Sequence, residues 1–174
     1  MILPKPPPSR YAVALGSNRR HVRHGAPADV VRAAAKAVAD RGPKLLALSD
    51  ILRNPAMGPA GRGFANAAAL FESPLAPDNF FDLLLAVERD FGRRRGRKWG
   101  PRVIDLDIIL WSGGMWAPRD GKSRGLVIPH PAFRARAFVL GPLSEIAPAM
   151  RDPVTGLSVR QLRFRHSGRR PRPG

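Results

Sequence analysis

From Ile104 to Leu110 the chain reads Ile-Asp-Leu-Asp-Ile-Ile-Leu, an alternation of apolar and acidic residues with the two-residue period of a β-strand. Such a strand turns Ile104, Leu106, Ile108 and Leu110 to one side and Asp105 with Asp107 to the other, so two carboxylates project together. Charges about 6 Å apart repel by roughly 3 kcal/mol at an effective dielectric near ~20 unless a cation or solvent offsets them. Magnesium suits such a pair, because it takes carboxylate oxygens, keeps waters and bridges to substrate phosphates. An edge strand displaying two solvated aspartates is the plainer reading, and a bare D-x-D leaves both open.

The flanking segments place this strand in a fold. Tyr11 to Leu15 reads as a first strand that stops at Gly16-Ser17-Asn18. Between Pro27 and Asp40, Val31, Ala34, Ala35 and Val38 fall on one helical face, with Pro27 in the first turn and Gly42-Pro43 as the stop. Leu45–Leu52 and Phe64–Phe71 are short apolar runs separated by the Pro- and Gly-rich NPAMGPAGRG, which suits two strands joined by a loop. From Pro77 to Phe91, Phe80, Leu84, Val87 and Phe91 form a stripe at helical spacing, with Gly92 behind it. The order strand, helix, strand, strand, helix, strand predicts an α+β fold with a ferredoxin-like βαββαβ core and a mainly antiparallel sheet. A further helix is expected around 136 to 145.

A length of 174 residues, with 44% hydrophobic and 25% charged residues, suits one globular domain. We expect residues 1–10 to be a flexible leader, 11–160 the domain, and 161–174 a disordered basic tail. The chain has no cysteine, which excludes disulfides, thiolate metal sites and cysteine nucleophiles. No run of 18 or more apolar residues and no secretory leader is visible, so a soluble, cytoplasmic protein without membrane contact is expected. The net charge of +17 predicts attraction to polyanions without choosing among nucleic acid, membrane and phosphorylated small molecules.

The flanks of the acidic pair narrow that choice. Arg93-Arg94-Arg95-Gly96-Arg97-Lys98 runs into Trp99 and then Arg102, just before the carboxylates. Cations beside metal ligands are what phosphoryl transfer requires to offset charge on the transferring oxygens. Neither G-x-x-x-x-G-K-[ST] nor G-x-G-x-x-G occurs, which argues against a P-loop or a dinucleotide fold.

The segment W-G-P-R-x-x-D-L-D-I-I-L at 99–110 resembles the signature of the hydroxymethyldihydropterin pyrophosphokinases of folate biosynthesis. The resemblance extends in order through A-L-G-S-N at 14–18, F-A-N-A-A at 64–68, the arginine-rich loop and I-P-H-P at 128–131. It implies a magnesium-dependent enzyme, with two ions, in which the hydroxymethyl oxygen of 6-hydroxymethyl-7,8-dihydropterin attacks the β-phosphorus of ATP and AMP leaves. It also implies roles, motif by motif. Asp105 and Asp107 resemble the magnesium ligands, one of which also orients the attacking hydroxyl. Arg95 and Arg102 resemble phosphate-binding arginines, with Arg94 and Arg97 as alternatives because the loop is one residue shorter than usual. Trp99 resembles a residue of the loop that closes over both substrates. Glu88, Ile108, His130 and Arg136 fall at ATP contacts. Phe64 and Phe138 match the aromatic pair that sandwiches the pterin, Asn66 the amide that reads its edge, and Asn54, Pro55 and Met57 further pterin contacts.

Two flat aromatic faces and an amide suit a flat heteroaromatic substrate, each face contributing roughly 0.5 to 1.5 kcal/mol beyond area burial. Ordinary core packing is the alternative for both phenylalanines. The basic stretch Arg19–His24 departs from the small or apolar residues usual after the Gly-Ser-Asn turn, and Leu85 stands where a polar ATP contact is common. The competing readings are a basic ferredoxin-like nucleic-acid module and a catalytically silent relative. The first lacks the aromatic RNP pattern, and the second is at odds with the intact Trp99, Arg102, Asp105, Asp107 and His130. We therefore expect a monomeric enzyme with small-molecule substrates, no specific nucleic-acid partner, and loops near 54–63 and 93–101 that close on binding.

Overall fold

The computed structural model describes residues 7–54, 63–92, 103–117 and 125–168. Five strands form one antiparallel sheet: β1 (Ser9–Ser17), β2 (Lys44–Leu48), β3 (Leu52–Asn54), β4 (Phe64–Ser73) and β5 (Asp105–Trp111). Their order is β2-β4-β1-β5, with β3 also paired to β4. Helix α1 (Pro27–Ala39) follows β1 and helix α2 (Pro77–Asp90) follows β4, which is the βαββαβ order expected from the sequence once β2 and β3 are counted as one interrupted strand. The chain continues through a short 3₁₀ helix, η1 (Phe133–Ala135), then α3 (Ala137–Ile146) and α4 (Val159–Gly168).

Both crossover helices start on a proline at the first turn, where the missing N–H costs nothing. Both end before a glycine at positive φ, Gly42 at 117° and Gly92 at 98°, a conformation that other residues adopt at a cost. Their apolar stripes lie on one sheet face. Val30, Val31, Ala34 and Val38 of α1, and Phe80, Leu84 and Val87 of α2, pack against Tyr11, Val13, Leu15, Ala67, Ala69, Phe71, Leu106 and Ile108. Tyr11 stacks on Phe80 with ring centres 4.2 Å apart and donates its hydroxyl to the Leu75 carbonyl at 2.5 Å. Burial, then the charge of Asp78, pushes this phenol up to about 12.

On the opposite face, the apolar cover that the described residues supply lies at one end. There Ala12, Ala68, Ile109 and Leu110 meet Phe133, Val139, Leu140 and Leu143, with Val159 and Leu162 of α4 outside them. Moving along the same face away from α3 and α4, the register places Ala14 opposite Asp107, and Gly16 between Asn66 on one side and Asp105 on the other. The polar residues of interest therefore gather at the end away from α3 and α4.

Two expectations about secondary structure change. The single strand anticipated over Leu45–Leu52 is divided at Ser49, whose N–H donates to the Ala68 carbonyl while its hydroxyl accepts the Ala68 N–H, both at 2.9 Å. A side chain thus takes over a backbone pairing while the chain bends. The disordered tail expected from residue 161 does not describe residues 161–168, which complete α4. Only Val159 and Leu162 of that helix are buried. Polar ties do the rest: Arg163 Nη1 donates to Ser144 Oγ at 2.6 Å, and His166 Nε2 lies 3.2 Å from the Ala135 carbonyl. Residues 169–174 lie outside the described residues.

Candidate active site

The carboxylates stand as the alternation requires. Leu106 and Ile108 are buried in the helix-covered core, so Asp105 and Asp107 emerge on the other face of β5. Three hydrogen bonds pin this strand. Ser17 Oγ donates to the Val103 carbonyl at 2.6 Å, the Leu106 N–H donates to Glu88 Oε1 at 2.9 Å, and the His130 N–H donates to the Ile109 carbonyl at 3.0 Å. The last falls at a register shift, where Ala12 pairs with Leu110 but Val13 pairs with Ile108. The extra residue, Ile109, turns its carbonyl toward the Ile128-Pro129-His130 turn, a re-aiming typical of β-bulges.

That contact brings His130 to the acidic pair: its Nε2 lies 4.0 Å from Asp107 Oδ2. The Ala132 N–H reaches His130 Nδ1 at 3.2 Å, so Nδ1 is the acceptor and the ring proton of the neutral imidazole sits on Nε2, toward Asp107. Downstream, η1 is clamped by an ion pair between the half-buried Arg134 and a buried carboxylate. Arg134 donates through Nε and Nη2 to the two oxygens of Asp152, each at 2.7 Å. Thr155 Oγ1 adds a donor at 2.6 Å and the Val154 N–H another at 3.1 Å. Asp152 is 0% exposed. Burial alone would raise its pKa, but these hydrogen bonds, Arg134 first, hold it down at about 2. The clamp fixes the segment between His130 and Arg136, whose guanidinium lies 5.8 Å from the ring centre of Phe138.

The pterin candidates occupy the neighbouring strands. Phe64 opens β4 and pairs with Asn54 of β3, while Leu52 pairs with Asn66. Directly opposed residues share a face, which puts Asn54 and Phe64 together. Phe64 is 48% exposed and Phe138, at the start of α3, 39% exposed. Neither ring is buried in the core at these exposures. Asn66 is only 7% exposed. Its Oδ1 would lie 3.2 Å from a Cβ at Gly16, so the glycine of the A-L-G-S-N motif leaves room for the amide, and the serine after it ties β1 to the approach of β5.

Other sequence-derived candidates lie elsewhere. The Ile108 side chain is buried on the helix-covered face, so only its backbone is available to a nucleotide. Glu88 is 2% exposed and engaged with the Leu106 N–H, within the protein rather than at its surface. Pro55, Met57, Arg95, Trp99 and Arg102, with the alternatives Arg94 and Arg97 and the loops expected to close, lie outside the described residues. The pattern reading passed over Ser17 as a strand stop and missed Arg134 and Asp152. A Ser directly after a strand-end Gly was the available signal for the first, and the partners of an ion pair 18 residues apart leave none.

Among the described residues, no helix is long and apolar enough to cross a membrane. The sheet face that an RNA-binding module would line with aromatics carries, among the described residues, Asp105 and Asp107, a poor surface for a polyanion.

Comparison with known proteins agrees with this geometry. The wild-type HPPK-DHPS of Plasmodium falciparum superposes with a TM-score of 0.68 over 93% of this chain and 45% of that one, at 12% identity; its pteroate complex gives 0.70, again at 93% and 45% coverage and 11% identity. At such identities the likeness establishes the fold alone. Among curated relatives, the 2-amino-4-hydroxy-6-hydroxymethyldihydropteridine pyrophosphokinase of Pseudomonas aeruginosa is 39% identical over 148 residues, 83% of this chain and 84% of the relative. The enzyme of the same name from Synechocystis is 41% identical over 110 residues, 63% of this chain, and the match spans about half of that relative, 54%. The model of the 7,8-dihydro-6-hydroxymethylpterin-pyrophosphokinase family matches residues 12–148, a span that holds the sheet except the first three residues of β1, together with His130 and Phe138. By that match and those identities, the chain belongs to the 7,8-dihydro-6-hydroxymethylpterin-pyrophosphokinase family.

Proposed function

We propose that this protein transfers the βγ-pyrophosphoryl group of ATP to the hydroxymethyl oxygen of 6-hydroxymethyl-7,8-dihydropterin, a step of folate biosynthesis. The observation that carries this reading is the convergence of Asp105, Asp107 and His130 with Asn66 on one sheet face, at the end away from α3 and α4. Phosphate chemistry and pterin recognition thus share a single surface, and family membership supplies the substrate class.

In this mechanism the substrate O–H bond breaks as a bond forms from its oxygen to the β-phosphorus. The bond from that phosphorus to the α,β-bridging oxygen breaks in turn, so AMP departs and one proton is released. Asp105 and Asp107 would hold magnesium. They fit it, since two hard carboxylate oxygens on one face leave the remaining positions to water and phosphate, as this ion prefers. Bound there, the ion offsets the charge of the phosphate oxygens. His130 contributes an Nε2–H donor whose direction is set by the Ala132 contact, and Arg136 adds a fixed positive charge from the start of α3. Arg95 and Arg102 are proposed to neutralise the transferring group, with Glu88 and Ile108 beneath the nucleotide side of β5. Phe64 and Phe138 stack on the pterin with Trp99, Asn66 reads its hydrogen-bonding edge, and Asn54, Pro55 and Met57 complete its enclosure.

Incubation with ATP, magnesium and the dihydropterin alcohol tests the reading. AMP should form in equal amount to a pterin diphosphate, and no turnover should occur without magnesium. Turnover that ignores the pterin, or chelation that leaves the rate unchanged, contradicts it.

A further inference from the structure

Glu88 occupies the last turn of α2, on the same inward face as Leu84 and Val87, and is 2% exposed. Its Oε1 accepts the N–H of Leu106 at 2.9 Å. β5 ends the strand order and pairs with β1 alone among the described strands, so its outer side is a sheet edge, where backbone N–H groups need a partner from outside the ladder. Closing an edge amide could be done by a hydroxyl or an amide. Glu88 supplies that partner as a carboxylate, a costly group to bury.

The residue it holds is the one between Asp105 and Asp107. Side chains alternate along a strand, so a peptide fixed at Leu106, with its side chain in the core, fixes the two neighbours outward together. Rotation of that peptide would swing both carboxylates at once. Ser17 at the Val103 carbonyl and His130 at the Ile109 carbonyl secure the ends of the same stretch, and Glu88 secures its middle, directly behind the acidic pair.

We propose that Glu88 is a positioning residue for the divalent-cation site: it holds the Leu106 peptide so that Asp105 and Asp107 keep a cation-ready arrangement. The proposal deepens the activity assigned above and rests on those two aspartates being the cation ligands.

Mn2+ with a non-hydrolysable ATP analogue is the probe, its binding followed by paramagnetic resonance, with amide exchange of Leu106 as a second readout. In the parent protein the Leu106 amide should exchange slowly despite its edge position; exchange at the rate of an unprotected amide overturns the proposal. Glu88→Ala should weaken Mn2+ by at least about tenfold, the scale found when groups supporting metal ligands are removed, and should lower kcat with little change in KM for the pterin. Glu88→Gln keeps an oxygen acceptor and should stay within about threefold of the parent, whereas Mn2+ affinity lost as fully as in Glu88→Ala overturns the proposal; this variant also decides the matter if Glu88→Ala does not fold. Val87→Ala, a core truncation on the same helix turn, controls for stability and should leave Mn2+ affinity unchanged despite a lower Tm. Equal weakening by Val87→Ala, or parent-like affinity in folded Glu88→Ala, overturns it. Asp105→Asn separates the two levels. If it weakens Mn2+ and Glu88→Ala does not, only the role of Glu88 fails; if it leaves Mn2+ binding intact, the cation-site assignment fails as well.

Discussion

Arg134→Met tests whether the clamp behind the proposed ATP side of the site is as important as its geometry implies. The substitution keeps the apolar stem but removes two donors at 2.7 Å from a carboxylate that is 0% exposed. Asp152 would retain only Thr155 Oγ1 and the Val154 N–H. Breaking a buried ion pair from one side typically costs 3–5 kcal/mol, and the two surviving donors place this case near ~3 kcal/mol. For a chain of this size that is a fall in Tm of about 6–12 °C. Urea titration at neutral pH measures it, and Arg134→Met/Asp152→Asn should recover part of the loss because no charge is left unpaired. The pH dependence gives an independent check. The folded pKa of Asp152, about 2, lies below its ordinary 3.8, so its contribution is complete above 3.8 and is lost as pH falls toward 2. The stability difference between the parent and Asp152→Asn should therefore shrink by about 2 kcal/mol between pH 5 and pH 2. Arg134→Met should also bind ATP more weakly, since the clamp holds the segment between His130 and Arg136. Loss of less than about 0.5 kcal/mol, the range of ordinary surface substitutions, would refute the reasoning.

Asp105→Ala and Asp107→Ala should each lower turnover by about a hundredfold or more in steady-state assays, because each removes a ligand to the ion that offsets phosphate charge. Phe64→Ala and Phe138→Ala should each raise KM for the pterin by about twofold to tenfold, the loss of one stacking face, with KM for ATP unchanged. Gly16→Ala should weaken pterin binding and leave ATP binding intact, as measured by calorimetry, because its Cβ would sit 3.2 Å from Asn66 Oδ1 and force that amide to shift.

How much of this was legible beforehand depends on the range of the interactions. The period of two in Ile104–Leu110 and of 3.6 in Pro27–Asp40 and Pro77–Phe91 reports which face meets a core, and those elements appear where the patterns place them, except that the bulge at Ile109 turns Leu110 to the face opposite Leu106 and Ile108. That Asp105 and Asp107 share a face was readable for the same reason, while the proposed pterin contacts rest on motifs at the ends of the strands. Polar ties across long separations leave no period. Ser49 taking over a pairing with Ala68, the bulge that presents the Ile109 carbonyl to His130, and Arg134 meeting Asp152 all depend on the assembled fold. Helix α4 was hidden by composition. Its arginines and the 81% exposed Phe164 read as a solvated basic tail, because only Val159 and Leu162 carry an inward signal.

The most direct test of the central claim follows one oxygen. ATP labelled with 18O at the α,β-bridge, incubated with magnesium, protein and the dihydropterin alcohol, reports which phosphorus is attacked when the products are weighed by mass spectrometry. Attack at the β-phosphorus leaves the label in AMP and none in the pterin diphosphate, which is the predicted result. ADP as the nucleotide product, or label leaving in free pyrophosphate with an adenylylated pterin, would contradict the account.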